Sequence, residues 1–286
     1  MSRVLIAGCG YVGTVAAKLF QAAGWTVEGW TRSGKAELEP GSGCLVRAVD
    51  LEDANQVRAA AGTFDLVIPS ASTRGGDAAA YGRIYLEGSR HLCERFADAA
   101  MVFVSSTSVY GQRSGEWVTE ESAAEPEPET GRILREAEDL VRQRGGTIVR
   151  FAGLYGPGRS ALLQRVLRGE AMLDPRDDRF VNSLHRDDAA SALLFLGSMQ
   201  PPAGGQIYNV ADNLPLPLSE CYRWLAGKLH RPLTAVGAAP RPGRRGESNK
   251  RVSNAKLRQA GWLPAFPSFI AGMEKSVLPA LEKISP

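Results

Sequence analysis

A glycine-punctuated segment near the start of the chain constrains the fold more than any other feature. The aliphatic run Val4–Ala7 leads into Gly8, Gly10 and Gly13, which have the spacing Gly-x-Gly-x-x-Gly, and apolar residues then recur at helical spacing over 14–23. A short continuous apolar run is typical of a strand that is covered on both faces in a parallel sheet. The succession of strand, tight turn and helix predicts an α/β protein with a doubly wound parallel sheet, the Rossmann fold.

The three glycines have separate physical roles in such a turn. Gly8 permits the sharp turn, Gly10 lets a pyrophosphate approach the backbone, and Gly13 lets the helix pack closely on the strand. The amides around them then lie at a helix N-terminus, which favours an anion. We therefore predict a dinucleotide site at this turn; the alternative is an ordinary strand-to-helix turn. The predicted contacts are Gly8, Cys9, Gly10, Tyr11, Val12 and Gly13.

The end of the second predicted strand bears on which dinucleotide is bound. In this fold an acidic residue at that point binds the adenosine ribose hydroxyls. The chain has Thr31, Arg32 and Ser33 there instead. A guanidinium flanked by hydroxyls suits a 2′-phosphate, so we expect NADP to be favoured over NAD. The alternative is a solvated surface arginine without a ligand.

Polar or small residues also follow the later strands, where ligands bind in open α/β sheets. The fifth predicted strand ends in four consecutive hydroxyl residues, whose side chains could hydrogen-bond a reacting carbonyl or alcohol; a serine-rich turn is the alternative. Further predicted cofactor contacts are Asp50, Leu51, Ser70, Ala71, Ser72 and Ser105, and the candidate catalytic hydroxyls are those of Ser106 and Thr107.

The bulk properties of the 286-residue chain narrow the classes of function. No apolar run is long enough for a membrane helix, and no basic segment precedes an apolar one as in a secretory signal. The four cysteines have no metal-ligand spacing, so we expect free thiols in a cytoplasmic protein without a metal site. A formal net charge of +3 does not favour nucleic acid as a partner.

Several motifs, taken together and in order, give the chain a wider resemblance. They are the glycine motif, Asp50-Leu51, Ser105 to Gly111, Arg150 to Gly158, and Leu184 to Ala190. In this order they resemble the extended short-chain dehydrogenases/reductases, the NAD-dependent epimerase/dehydratase family. The resemblance implies a dinucleotide-binding domain, residues 1–160, and a smaller substrate lobe, 161–286, of which about 180–212 return to the first domain. It also implies a small polar or nucleotide-linked substrate, oxidoreductase or isomerase chemistry and, by analogy alone, a homodimer.

The chain departs from that family at the expected active site. The family has a Tyr and a Lys four residues apart on one helix face, the Tyr acting as acid/base. Thr130 and Leu134 occupy those positions here. If chemistry persists, another group must move the proton. The resemblance and residue chemistry leave Ser106, Thr107, Tyr110, Tyr155 and His185 as candidates, although the two tyrosines and the histidine could equally be packed structural residues.

A basic segment, residues 241–251, has the strongest local charge excess. In the resembling enzymes arginines near this point meet a nucleotide-sugar diphosphate, which makes Arg245 a candidate substrate contact together with Tyr155. A solvated loop is the alternative for the segment. For the whole protein, the alternative to an enzyme is a non-catalytic dinucleotide sensor or scaffold that kept the pocket and lost the Tyr/Lys pair.

Overall fold

A computed structural model describes residues 1–38, 43–73, 75–174, 177–199, 204–235 and 248–282. The chain divides into two compact units. The first comprises Met1–Val109, Ala124–Phe151 and Ala189–Tyr208, and the second comprises Tyr110–Ala123, Ala152–Asp188 and Asn209–Pro286. The second unit thus includes residues before position 160, and residues 189–208 belong to the first unit.

The strands of the described residues are, in chain order, β1 (Arg3–Ala7), β2 (Thr26–Thr31), β3 (Leu45–Ala48), β4 (Leu66–Pro69), β5 (Ala100–Ser106), β6 (Glu116–Val118), β7 (Thr147–Phe151), β8 (Gly153–Tyr155), β9 (Met172–Leu173), β10 (Phe180–Val181), β11 (Ser183–His185), β12 (Ile207–Val210), β13 (Leu216–Pro217), β14 (Thr234–Ala235) and β15 (Lys250–Val252). Seven of them form one sheet in the order β12-β7-β5-β4-β1-β2-β3.

The predicted doubly wound sheet is confirmed. β1 pairs in parallel with β2 on one side and with β4 on the other. Val4, Leu5, Ile6 and Ala7 are fully buried, as expected for a strand covered on both faces. The chain moves outward from β1 in both directions, so the topological switch point lies between β1 and β4, where such sheets bind ligands.

The helices are α1 (Gly13–Ala22), α2 (Ala54–Ala59), α3 (Ala78–Tyr81), α4 (Gly88–Arg95), α5 (Glu129–Gln143), α6 (Ala161–Leu167), α7 (Arg186–Gly197), α8 (Leu218–Leu229), α9 (Ala255–Gln259), α10 (Phe269–Gly272) and α11 (Leu278–Glu282). The long helix expected over residues 78–97 contains a π-helical segment, Gly82–Glu87, that joins α3 to α4. Apolar periodicity does not reveal such a segment, because it shifts the face by only one residue.

The second unit is built from short strand pairs and helices around its own core. β8 pairs with β11, β9 with β14, β10 with β13 and β6 with β15. Its buried cluster includes Tyr155, Leu225, Phe269 and Met273. The acidic residues and prolines after Gly115 predict a surface loop, and this is wrong for the first part of the stretch. Glu116–Val118 forms β6 by pairing with β15. The pairing could not be predicted locally, because β15 lies more than 130 residues later in the chain.

Candidate functional site

The glycine turn has the geometry that its spacing predicts. Gly8 has a φ of 113°, and a Cβ there would lie 2.2 Å from the Ala71 nitrogen. A Cβ on Gly13 would lie 2.7 Å from the Gly8 carbonyl oxygen. At Gly10 a Cβ would meet nothing within 4 Å, so this glycine faces open space rather than protein. Gly8 and Gly13 are therefore required by the fold itself, whereas the lack of a side chain at Gly10 leaves room for a ligand.

The N-terminus of α1 is suited to an anion. It has no side-chain cap and no acidic residue in its first turn. The helix dipole therefore adds a partial positive charge that no acidic side chain of the first turn offsets. The Ser70 hydroxyl donates to the Gly8 carbonyl at 3.1 Å, which ties the end of β4 to the turn. The structure thus brings Ser70 and Ala71 together with the glycine turn, and their roles as cofactor contacts stay predictions.

The segment after β2 is a turn closed by the Gly34 amide, which donates to the Thr31 carbonyl. The Thr31 hydroxyl donates to the Lys35 carbonyl at 3.0 Å, and the Ser33 hydroxyl accepts the Lys35 amide at 3.4 Å. Arg32 is exposed on this turn. The two hydroxyls therefore hold the turn, and the roles of Thr31, Arg32 and Ser33 as cofactor contacts stay predictions.

Asp50 and Leu51 lie at the turn after β3. Asp50 Oδ1 accepts the Glu52 amide at 3.1 Å, which fixes this turn. Leu51 is buried, and its carbonyl lies 2.9 Å from His91 Nδ1. Their roles as cofactor contacts stay predictions, as does that of Ser72.

The hydroxyls at the end of β5 have different partners. The Ser105 hydroxyl is buried and donates to Glu138 Oε1 at 2.5 Å. The Ser106 hydroxyl is half-buried and accepts the Ser108 amide at 3.1 Å, which leaves its proton available for donation. Thr107 begins a short 3₁₀ turn and is buried. Ser106 is therefore the candidate catalytic hydroxyl with the freer proton, while Ser105 is committed to Glu138.

Thr130 and Leu134, where the sequence predicts that the Tyr/Lys pair is replaced, both lie on α5. Thr130 is in its first turn and is partly buried, and Leu134 follows one turn later with 2% of its surface exposed. The expectation that these positions share a helix face is met. Leu134 is packed as a core residue, so no side chain at that position supplies an ammonium group.

The same face of α5 carries a residue that sequence reasoning missed. Glu138, one further turn along, is fully buried. Both of its oxygens are bound by Arg150 of β7, with Nε–Oε1 at 3.0 Å and Nη2–Oε2 at 2.7 Å, and Arg135 Nη1 binds Oε2 at 2.5 Å. Two features of the sequence could have indicated this ion pair. Glu138 follows the apolar Leu134 by four residues, and Arg150 stands inside an apolar strand. The ion pair fixes α5 against the sheet at the end of β5.

Tyr110, a catalytic candidate, belongs to the second unit and is 1% exposed. Its hydroxyl lies 2.8 Å from the Thr119 carbonyl and 2.9 Å from Asn209 Oδ1. One proton cannot serve both acceptors, and Asn209 Nδ2 is buried without a partner among the described residues. If the side-chain amide of Asn209 is flipped by 180°, its Nδ2 donates to the Tyr110 hydroxyl, which in turn donates to the Thr119 carbonyl. This closed arrangement favours the structural alternative for Tyr110.

His185 and Tyr155 are also in the second unit and are buried against each other, with ring centroids 5.3 Å apart. Burial lowers the pKa of His185 to about 4, so the ring is neutral near pH 7. Its Nδ1 accepts the Asp187 amide, and its Nε2 therefore carries the proton toward Ser276 Oγ at 3.1 Å. Burial also raises the pKa of Tyr155, whose hydroxyl donates to the Ser268 carbonyl. Both side chains are engaged within the core, and their functional roles stay predictions.

The remaining expectations concern Arg245, a metal site and a membrane helix. Arg245 lies outside the described residues. Within the described part of the chain, no three His, Cys, Asp or Glu side chains converge as metal ligands, and no helix is both long and apolar enough to cross a bilayer.

Known proteins that match this chain belong to one family or share its fold. A sequence model of the NAD dependent epimerase/dehydratase family matches residues 4–211. Protein YeeZ of Escherichia coli K12 is 33% identical over 226 residues, which are 73% of this chain and 77% of YeeZ.

Solved structures match over nearly the whole chain. One from Methylobacillus flagellatus, with an NAD-dependent epimerase/dehydratase designation, has 30% identity and a TM-score of 0.78 and covers 98% of this chain and 99% of its own. A UDP-glucose 4-epimerase from Thermotoga maritima, solved with UDP-glucose, has 16% identity and a TM-score of 0.82 over 98% and 99% of the two chains, a likeness of fold alone. The family match over most of the chain, together with the glycine turn at the switch point of the sheet, identifies this protein as a member of the NAD dependent epimerase/dehydratase family.

Proposed function

We propose that this protein is an NADP(H)-preferring enzyme that acts on a small polar or nucleotide-linked substrate without the family's Tyr/Lys pair. The observation that carries the proposal is the glycine turn, where Gly10 faces open space beside the uncapped N-terminus of α1. A pyrophosphate fits both features, because it needs backbone amides and close approach.

The preference for NADP rests on the turn after β2. Arg32 is exposed and Thr31 and Ser33 hold the turn around it. A guanidinium binds a phosphate through two parallel N–H donors. NADP carries such a phosphate on its adenosine ribose, and NAD does not. The matching family model is described as NAD dependent, so the proposed preference for NADP goes beyond what the family match supports.

The chemistry proposed for the first unit depends on hydroxyls rather than on a phenol. Bound NADP(H) would supply the hydride acceptor or donor. Ser106 would donate its proton to the reacting oxygen of the substrate, since its lone pair already accepts the Ser108 amide. Ser105 holds the end of β5 through its hydrogen bond to Glu138. Thr130 is a far weaker acid than a tyrosine, so turnover should be slower than with the family's pair.

A nucleotide-linked substrate is supported by the neighbours of the fold. The protein MoeE5, whose structure was solved with UDP-glucose and NAD, has a TM-score of 0.81 to this chain. Its identity of 21% is too low to transfer the substrate itself. The coarser class, a small polar or nucleotide-linked molecule, is what we propose.

The test is a calorimetric titration of the full chain with NADP and with NAD. We expect NADP to bind roughly 10-fold or more tightly than NAD, since a hydrogen bond to a charged group contributes about 1.5–3 kcal/mol. The Arg32→Ala variant should bind the two dinucleotides equally, whereas the matched surface variant Arg258→Ala should keep the wild-type difference. Equal affinities in the wild-type protein would overturn the NADP preference, and no binding of either would overturn the proposed function.

One observation favours the non-catalytic alternative, in which the protein is a dinucleotide sensor or scaffold. Leu134 is buried in the position of the family's lysine, so the usual activation of an acid/base group is missing. A panel of alcohols, ketones and nucleotide-sugars incubated with the NADP-loaded protein separates the two functions. Turnover that is lost in Ser106→Ala supports the enzyme, and binding without any turnover supports the sensor.

A further inference from the structure

Two cysteines of the first unit bring their sulfur atoms to one point above β2. Cys9 belongs to the glycine turn, and Cys44 directly precedes β3. Gly29 lies in β2, the strand between β1 and β3. A Cβ built on Gly29 would lie 2.8 Å from the Cys9 sulfur and 3.9 Å from the Cys44 sulfur. The two thiols are therefore neighbours across a residue that has no side chain.

Gly29 keeps the space around the sulfurs open. It pairs with Ile6 of β1 and with Val46 of β3, so it stands inside a parallel sheet, where glycine is unfavourable. Its φ is not positive, so its backbone conformation does not require glycine. A side chain there would collide with the Cys9 sulfur. Glycine at this point of the strand therefore leaves its volume to the two thiols.

The two thiols differ in access. Cys9 is 1% exposed, and burial raises its pKa to about 12. Cys44 is half-buried. Burial raises the pKa of Cys44 as well, and a hydrogen bond from the Gly29 backbone amide to its sulfur opposes that rise. A small oxidant therefore meets Cys44 first, and Cys9 is placed to attack the oxidised sulfur from the protein interior.

Proximity rather than acidity distinguishes this pair. Because the pKa of each thiol is raised, Cys44 should react more slowly than a sensor thiol of low pKa. The remaining two cysteines have other surroundings. The Cys93 sulfur contacts that of Met101 at 3.5 Å, and Cys221 is fully buried in the second unit. These two residues therefore provide internal controls.

The position of Cys9 connects the pair to the glycine turn. The amides of Gly8 and Cys9 both donate to the Trp30 carbonyl, at 3.0 and 2.9 Å. A Cβ on Gly8 or on Gly13 would collide with backbone atoms, so the turn is tightly enclosed. Drawing the Cys9 side chain toward Cys44 therefore displaces the amides of the turn, because the packing leaves no slack to absorb the movement.

We propose that Cys9 and Cys44 form a redox modification site, in which a peroxide converts the two thiols into a disulfide across Gly29 and thereby weakens dinucleotide binding at the glycine turn. The effect on binding rests on the proposed function, whereas formation of the disulfide does not.

The reaction balances in two steps when the oxidant is hydrogen peroxide. The Cys44 thiolate attacks one peroxide oxygen, the O–O bond breaks, and Cys44 becomes a sulfenic acid while hydroxide leaves. The Cys9 sulfur then attacks the Cys44 sulfur, the S–S bond forms, and the sulfenic hydroxyl leaves with the Cys9 proton as water. The two thiols lose two electrons and two protons, and the peroxide is reduced to two waters. A dithiol reverses the change by thiol–disulfide exchange.

The experiment treats the full, reduced chain with hydrogen peroxide and counts its thiols after denaturation. We expect the count to fall from four to two and the mass to fall by two hydrogen atoms. Proteolysis should release a peptide pair joined through Cys9 and Cys44, which dithiothreitol separates. Four remaining thiols, a disulfide between other cysteines, or over-oxidation of Cys44 without a disulfide overturns the site.

Matched variants test the assignment. Under the same treatment Cys44→Ser should keep its three thiols, whereas Cys93→Ser should still lose two. A disulfide in treated Cys44→Ser would contradict the pairing. Thermal unfolding checks that each variant is folded, and the joined peptides of the wild type give the result independently of any variant.

Calorimetry with NADP tests the consequence for binding. The reduced wild type, Cys44→Ser and Cys93→Ser should bind NADP alike. The oxidised wild type should bind it at least about 10-fold more weakly and recover with dithiothreitol, while peroxide-treated Cys44→Ser keeps its affinity. Equal affinity of the oxidised and reduced wild type overturns the effect on binding. A reduced protein that binds no dinucleotide contradicts the proposed function and this effect together, and the thiol count still decides the disulfide.

Discussion

Two buried carboxylates, one in each unit, differ in the partners that the fold gives them. Glu138 in the first unit is fully buried, and its oxygens are bound by Arg150, Arg135 and Ser105. Asp212 in the second unit is 2% exposed, and its Oδ2 has no hydrogen-bond partner among the described residues. Burial raises the pKa of Asp212 to about 8, opposed by the amides of Leu214 and Phe269. Two similarly buried carboxylates therefore differ in how they are stabilised, because the fold supplies ion-pair partners to one and, within the described residues, none to the other.

The largest effect that tests this contrast is expected at Glu138. In Glu138→Leu the buried Arg150 guanidinium loses the carboxylate that binds its Nε and Nη2, so the free energy of unfolding should fall by about 3–5 kcal/mol. Urea denaturation measures the loss. Glu136→Leu, an exposed residue of the same helix, should change the value by no more than about 0.5 kcal/mol.

A double variant, Glu138→Leu with Arg150→Met, sharpens the interpretation. It removes both charges and should recover most of the lost stability, because an apolar pair of similar volume replaces the ion pair. If the single variant were as stable as the wild type, the Glu138–Arg150 pair would not be what holds α5 against the sheet.

An intermediate effect is expected from Asp212, and it depends on pH. The folded pKa of about 8 lies above the ordinary value of 3.8, so between these values the native state holds a proton that the unfolded state has released. The stability from this group is complete at low pH and is lost as pH rises toward 8, by up to about 1.4 kcal/mol per unit.

The measurement is the unfolding free energy at pH 6.5 and pH 8, a window above the pKa of His185. The wild type should lose about 1–2 kcal/mol more than Asp212→Asn across that window. Asp139→Asn, a half-exposed residue of α5, should follow the wild type. A parallel pH response of wild type and Asp212→Asn would mean that Asp212 is ionised in the folded protein.

The smallest effect is expected at Arg135, the outer partner of Glu138. The Arg135 side chain is 22% exposed and also binds Asp139. When Arg135 is removed, Arg150 still pairs with Glu138. Arg135→Gln should cost less than about 1 kcal/mol in urea denaturation. A loss as large as that of Glu138→Leu would show that the outer arginine, not the buried one, carries the interaction.

The sequence predicted much of the first unit because its constraints are local. Gly8 and Gly13 meet backbone or side-chain atoms where a Cβ would lie, and a steric requirement of this kind is visible in the residue type itself. Periodicity predicted a strand at Val4–Ala7 followed by a helix over 14–23, and the structure has β1 over Arg3–Ala7 and α1 over Gly13–Ala22. Thr130 and Leu134 lie on one helix, as their spacing predicts, while the replacement of the Tyr/Lys pair by these residues stays a prediction.

The second unit was less predictable because its elements are short and its contacts are distant in sequence. β6 has three residues and pairs with a strand that begins 134 residues after β6 begins, as the register partners Glu116 and Lys250 show. No local pattern distinguishes such a strand from a loop. The contact of Trp117 with Arg251 follows from that register, so it was invisible before the strands were paired.

The sequence alone determined the glycine turn and the order of strands and helices in the first unit, because sterics and hydrophobic periodicity act over a few residues. The tertiary structure decided which charged and hydroxyl groups are engaged. Glu138 is bound by Arg150 and Asp212 is left with an unpaired oxygen, while Tyr110 and His185 are enclosed. The energy of a polar group depends on which atoms surround it, and those atoms come from distant parts of the chain.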